Sequence, residues 1–69
     1  MAEFRLFFNQ RELIILSHLS KGYGDKQMAQ EMDISERAIR YCLTNIHKKL
    51  NTKTRSQAVA EAIRLELIA

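Results

Sequence analysis

The sequence predicts an all-α protein: a bundle of four helices at about residues 9–20, 25–32, 35–50 and 54–67. Three observations carry that reading. Its 69 residues include no proline and only two glycines, whereas strands need more punctuation between them. Apolar residues recur at steps of three and four through each of the four windows. A residue suited to start a helix (Asn9, Asp25, Ser35, Thr54) stands at the head of each window. The length suits a single domain spanning 1–69. Such a chain buries only about 60% of its unfolded surface, so one core of modest stability is expected.

The first helix opens on Asn9 as N-cap, with Glu12 placed to complete a capping box. Ile15, Leu16 and Leu19 form its inward stripe, and Gly22 is expected to end it in the left-handed conformation. Lys21 to Gly24 is a loop. Asp25 is expected to cap the second helix, whose inward residues are Met28, Ala29 and Met32. Asp33 and Ile34 then make a tight connection. Ser35 caps the third helix, with Glu36 in its first turn and Lys48 and Lys49 near its C-terminus, a charge order that complements the helix dipole. Thr54 and Gln57 form a second capping-box pattern ahead of the fourth helix, which is expected to bury Ala58, Val59, Ala62 and either Ile63 or Leu65.

The third helix has two unlike faces. Ile39, Leu43, Ile46 and Leu50 succeed one another at steps of four, three and four, the spacing of a buried stripe. Arg37, Arg40, Tyr41, Thr44 and Lys48 occupy the other side, and none of them is acidic. The net charge of +3 is modest, but its distribution is not: six of the eleven basic residues and none of the eight acids lie between positions 37 and 55. That is an electrostatic footprint for a polyanion, although a solvated basic helix face has the same composition.

Several classes are disfavoured. A domain this small seldom walls a catalytic cleft, and no nucleophile–base–acid set is visible, so no enzyme activity and no cofactor are expected. One cysteine excludes an internal disulfide and is compatible with a reducing compartment. Cys42 and His47 are five residues apart and His18 lies on another helix, so no metal site is expected. No stretch approaches the roughly 20 apolar residues of a membrane span, and the N-terminus lacks the apolar core of a signal peptide. These readings lead to a soluble, cytoplasmic protein with no small-molecule substrate.

The second helix, the short turn and the third helix together read as a helix-turn-helix, in which the third helix enters the DNA major groove. The landmarks Arg11-Glu12, Gly22, Lys26 to Ala29, Ile34-Ser35, Ile39-Arg40, Asn45-Ile46, Lys49-Leu50, Arg55 and Ala58-Val59 occur in order from Phe8 to Ile68. On these landmarks the chain resembles the LuxR/FixJ/GerE-type DNA-binding domain, the output module of many bacterial transcriptional regulators. The resemblance implies a four-helix fold and base-reading positions here held by Arg40, Tyr41 and Thr44. It also implies phosphate contacts near the starts of the second and third helices and at the end of the third. Ala38, Cys42 and Asp25 depart from the family pattern, where Thr, His and Asn are usual. Ala38 removes one expected phosphate hydrogen bond, and Asp25 brings a negative charge toward the DNA.

Arg40 could read a guanine through its planar fork or contact a phosphate. Tyr41 could pack on a thymine methyl, donate to a phosphate, or pack against the first helix. Thr44 reaches a base only if the helix sits deep. Lys26, Arg37, Lys48 and Lys53 suit phosphates better than bases, because long flexible cations position without specifying. Asn45 and Arg55 fit either DNA contact or a structural role, and for Arg55 the structural role is preferred. Apolar residues on more than one side of the fourth helix, with the dimerisation common in the resembled family, suggest a homodimer interface at Val59, Ala62 and Ile63. Phe4, Leu6, Phe7 and Phe8 load the N-terminus with apolar surface, and Leu13 and Ile14 widen the first helix's stripe.

The expected function is therefore sequence-specific binding of double-stranded DNA and transcriptional regulation, as a stand-alone regulator or as the output domain of one. The alternative is a helical interaction module that binds a regulatory protein partner instead of DNA.

Overall fold

Each of the four α-helices starts at a short polar residue or at glycine, and that residue sets where the first turn begins. The computed structural model describes residues 2–69, with side chains from Arg5 onward. α1 (Gln10–Ser20) begins on Asn9, whose side chain accepts the Glu12 N–H at 2.8 Å while Glu12 Oε1 accepts the Asn9 N–H at 2.9 Å. This capping box satisfies two of the N–H groups that a helix start leaves unpaired. Gly22 comes after the helix at φ +84°, the left-handed conformation that glycine adopts without a Cβ penalty.

α2 (Asp25–Met32) is preceded by Gly24 as N-cap, with no side-chain capping bond. The expectation that Asp25 caps this helix is therefore corrected: Asp25 is its first helical residue, and its carboxylate bonds the Arg55 guanidinium. α2 stops at Asp33, a left-handed residue at φ 55°, and the Ile34 N–H closes the turn on the Ala29 carbonyl at 3.0 Å. Ser35 then caps α3 (Glu36–Leu50), its hydroxyl oxygen accepting the Ala38 N–H at 3.0 Å. α3 ends in the same manner, with Asn51 at φ 56° and the Thr52 N–H bonded to the His47 carbonyl at 3.1 Å.

α4 (Arg55–Arg64) opens on the Thr54–Gln57 capping box and is shorter than its apolar pattern suggests. Glu66 adopts φ 61°, and the Leu67 N–H bonds the Ala62 carbonyl at 2.8 Å. The backbone reverses there and carries Leu67 into the core, where it is 2% exposed and its apolar surface is removed from water. The expected limit at residue 67 thus mistook a folded-back anchor for a helical position.

The core collects the expected stripes: Ile15, Leu16 and Leu19 of α1, Met28 and Ala29 of α2, and Ala58 and Ala62 of α4 around Ile39, Cys42, Leu43, Ile46 and Leu50 of α3. Met32, Val59 and Leu65 are partly buried against it, and Ile63 is exposed. Leu13 is half-buried against the same core, whereas Ile14 is exposed. The N-terminus adds an element that periodicity could not announce, a 3₁₀ helix over Ala2–Phe7. It is pinned by the buried Phe8 and by Arg5 Nη1, which donates to the Leu67 carbonyl at 3.0 Å. Leu6 and Phe7 remain exposed, and the Phe4 side chain lies outside the described residues. Among the described residues there is no strand, and no helix is long and apolar enough to cross a membrane.

Candidate nucleic-acid interface

α3 packs against all three of the other α-helices, and it spans roughly 22 Å at 1.5 Å per residue. Its buried side fixes its orientation. Its opposite side presents Arg37, Arg40, Tyr41, Thr44 and Lys48, all exposed. The steps 37, 41, 44, 48 and 40, 44 keep these groups on one face. Tyr41 is 69% exposed, so packing against α1 does not account for it. Ala38, where a hydroxyl is absent, is half-buried beside this face.

The exposed groups differ in what they can offer. Arg40 lies 4.0 Å from Glu36, an exposed pairing one turn away that constrains the guanidinium little. Thr44 donates its hydroxyl hydrogen to the Arg40 carbonyl at 3.1 Å. Its hydroxyl hydrogen is thereby engaged, and the exposed side chain keeps its methyl for apolar contact and oxygen lone pairs to accept from a base amino group. Lys48 and Lys53 line one open recess with Thr44, His47, Asn51 and Thr52. Lys26 is exposed in the first turn of α2 and does not line that recess.

The structure divides the basic cluster between two tasks. Lys49 donates to Glu12 Oε1 at 2.7 Å and sits 5.3 Å from the centre of the Phe8 ring, so it ties α3 to the start of α1. Arg55 ties the start of α4 to the start of α2 through Asp25, which gives it the structural role and matches the Asp25 charge with a partner. Arg37, Lys48 and Lys53 make no ion pair among the described residues. Arg11, Lys21 and Lys26 likewise make no ion pair among the described residues; what sets the outward face of α3 and the turn after it apart is that Arg37, Lys48 and Lys53 lie in a stretch, 37–55, that holds no acid.

Sequence reasoning weighed His47 only as a metal ligand. In the structure its Nδ1 lies 2.8 Å from Thr52 Oγ1, across the corner that ends α3. The signal was the spacing of five residues around a helix-ending asparagine. Elsewhere, the Arg64 guanidinium hydrogen-bonds Glu61 on α4 and holds that carboxyl below its ordinary range, while Glu61 raises Arg64. His18 stacks on Tyr23 with ring centres 4.8 Å apart. No group of three His, Cys, Asp or Glu side chains gathers among the described residues.

On α4, Val59 is half-buried and Ile63 is 47% exposed; both line an open groove with Leu19, Ser20, Arg55, Ser56 and Ala60. Ala62 is fully buried in the chain's own core, so it has no surface to give a partner. The apolar face expected on this helix therefore narrows to Val59 and Ile63.

Comparison with known proteins agrees with this geometry. Residues 7–62 match the family described as bacterial regulatory proteins, luxR family. The chain is 41% identical to the transcriptional regulatory protein ComA of Bacillus subtilis over 49 residues, 71% of this chain and 23% of that protein. It is 35% identical to the oxygen regulatory protein NreC of Staphylococcus carnosus over 60 residues, 87% of this chain and 28% of that protein. The chain thus spans about a quarter of the length of these curated relatives. A solved structure of the transcription factor GerE superposes with a TM-score of 0.86 at 32% identity, covering 91% of this chain and 94% of that one. By its matched residues and by its fold, the chain belongs to the luxR family of bacterial regulatory proteins, which groups it with regulators and not with enzymes.

Proposed function

We propose that the chain binds double-stranded DNA sequence-specifically and regulates transcription in the cytoplasm, with α3 in the major groove. The observation that carries this reading is the cationic face of α3, where Arg37 and Lys48 make no ion pair among the described residues and Arg40 has only a long exposed contact with Glu36, backed by five buried residues that hold the helix in place. Arg40, Tyr41 and Thr44 read bases. Arg37, Lys48 and Lys53, with Lys26 from α2, hold phosphates and set the register of the protein on the duplex. The relatives' printed roles in transcription and regulation support the same reading.

Fluorescence anisotropy on a duplex selected from a random pool tests it. Arg40→Ala is expected to lose about 1–3 kcal/mol of discrimination against mutated sites. Lys48→Ala should weaken all duplexes alike and lower the salt slope by about one. If neither substitution changes binding, and random duplex shows almost no affinity across a salt titration, the domain is an interaction module for a regulatory protein instead. The exposed Ile63 and the half-buried Val59 support a homodimer through α4, with two recognition helices about 34 Å apart on DNA. Sedimentation on operator DNA showing one protein per duplex at micromolar concentration would rule that dimer out.

A further inference from the structure

The corner that ends α3 carries a polar pair at a position where an apolar contact commonly accompanies this kind of helix ending. The Thr52 N–H returns to the His47 carbonyl across the left-handed Asn51, and the two side chains flanking such a turn usually pack hydrophobically. Here they are an imidazole and a hydroxyl, both half-buried, with Nδ1 and Oγ1 2.8 Å apart. The pair opens into the recess that also holds Thr44, Lys48 and Lys53.

We infer that His47 and Thr52 together seat one DNA phosphate and take up a proton as it arrives, so that duplex affinity depends on pH. This inference rests on the DNA-binding reading above. A phosphate only accepts hydrogen bonds near neutral pH, so a seat for it must offer donors. In the neutral pair one hydrogen lies between Nδ1 and Oγ1, and one other polar hydrogen is left for a ligand, on Nε2 or on the hydroxyl according to tautomer. With the imidazole protonated, Nδ1–H donates to Thr52 while Nε2–H and the Thr52 hydroxyl both remain to donate. The phosphate charge favours that form, and the proton comes from solvent.

The charged groups beside His47 are cations, which attract a phosphate and oppose an imidazolium until one is bound. Lys48 of α3 and Lys53 of the following turn line the recess, and α4 contributes no titratable group to it. Of the α4 charges, Glu61 and Arg64 line the adjoining recess with Asn51 and Thr52 and are bonded to each other, and Arg55 is bonded to Asp25. No carboxylate lines the seat to compete with a phosphate for the imidazolium.

The test is anisotropy with a random-sequence duplex at pH 6 and pH 8 over a range of salt, using the parent and two variants. His47→Gln can keep a hydrogen bond to Thr52 but cannot take the proton. His47→Leu with Thr52→Val restores an apolar corner. Between pH 8 and pH 6 the parent should gain about five- to tenfold more affinity than His47→Gln, and its salt slope should steepen by about one. His18 is present in every protein, so the difference belongs to His47. The double variant should bind the duplex equally at both pH values once the His47→Gln background is subtracted. Matching pH profiles for parent and His47→Gln overturn the inference. If Lys48→Ala and Lys53→Ala weaken binding in that case, DNA binding itself stands; if they too leave binding unchanged, the reading beneath it fails as well.

Discussion

Lys49→Met is the substitution that most sharply separates the structural cations from the DNA-facing ones. Glu12 keeps only 3% of its side chain exposed, and its Oε1 accepts from both the Asn9 N–H and Lys49 Nζ. Removing one partner of a buried ion pair costs about 3–5 kcal/mol. Here 36% of the Lys49 side chain reaches solvent, and the Asn9 N–H would stay bonded. Methionine also keeps an apolar stem against Phe8. These reduce the expected loss to about 2–3 kcal/mol. A 69-residue domain has roughly 3–10 kcal/mol in all, so the melting temperature should drop by about 10–20 °C. Urea unfolding monitored by far-UV circular dichroism measures the change. In a Glu12→Gln background the amide oxygen can still accept the Asn9 N–H without a charge, so the same lysine substitution should cost under about 1 kcal/mol. The salt slope of DNA binding should not move, in contrast to Lys48→Ala. A loss below about 0.5 kcal/mol, strict additivity with Glu12→Gln, or a lowered salt slope would each refute the assignment of Lys49 to the scaffold.

Four further substitutions, at three positions, probe the core, a helix ending and the α4 surface. Ile46 is fully buried in the middle of α3; Ile46→Ala should remove about 2–5 kcal/mol and leave little folded protein, whereas Ile46→Val should cost about 1 kcal/mol by urea unfolding. Asp33→Gly should stabilise by about 0.5–1 kcal/mol in the same assay, because it relieves a non-glycine residue at φ 55° and removes an acid from a helix C-terminus. Ile63→Asp should abolish any dimer seen by sedimentation on operator DNA while leaving the melting temperature of the domain within a few degrees, since the side chain is 47% exposed.

Much of this fold was legible because helix starts are local chemistry. Asn9 with Glu12, Ser35, and Thr54 with Gln57 cap as their spacing predicts, since each bond spans only three residues. Asp25 defeated the same rule because a residue 30 positions away, Arg55, claims its carboxylate. No local pattern announces such a partner. The end of α4 failed for a related reason, as Leu67 answers to the core and not to helical periodicity. At the interface, the outward face of α3 could be read from its steps of three and four. Which cations were already engaged could not, because Lys49 meets an acid 37 residues away. His47 and Thr52 sat in plain view, but their meeting depends on Asn51 taking the left-handed conformation.

The hydrogen bond from Arg5 to the Leu67 carbonyl brings the two ends of the described chain within the reach of one side chain. Topologically the described residues form almost a closed ring, which can be reopened where its backbone is exposed. Joining the ends by a short glycine-rich bridge and opening the loop at Gly22–Gly24 would reorder the chain so that the helix-turn-helix comes first, and permuted chains of this kind are generally tolerated where the cut falls in an exposed loop. The recognition helix would then leave the ribosome ahead of the helix that clamps it, and the sequence of synthesis could be separated from the architecture it produces.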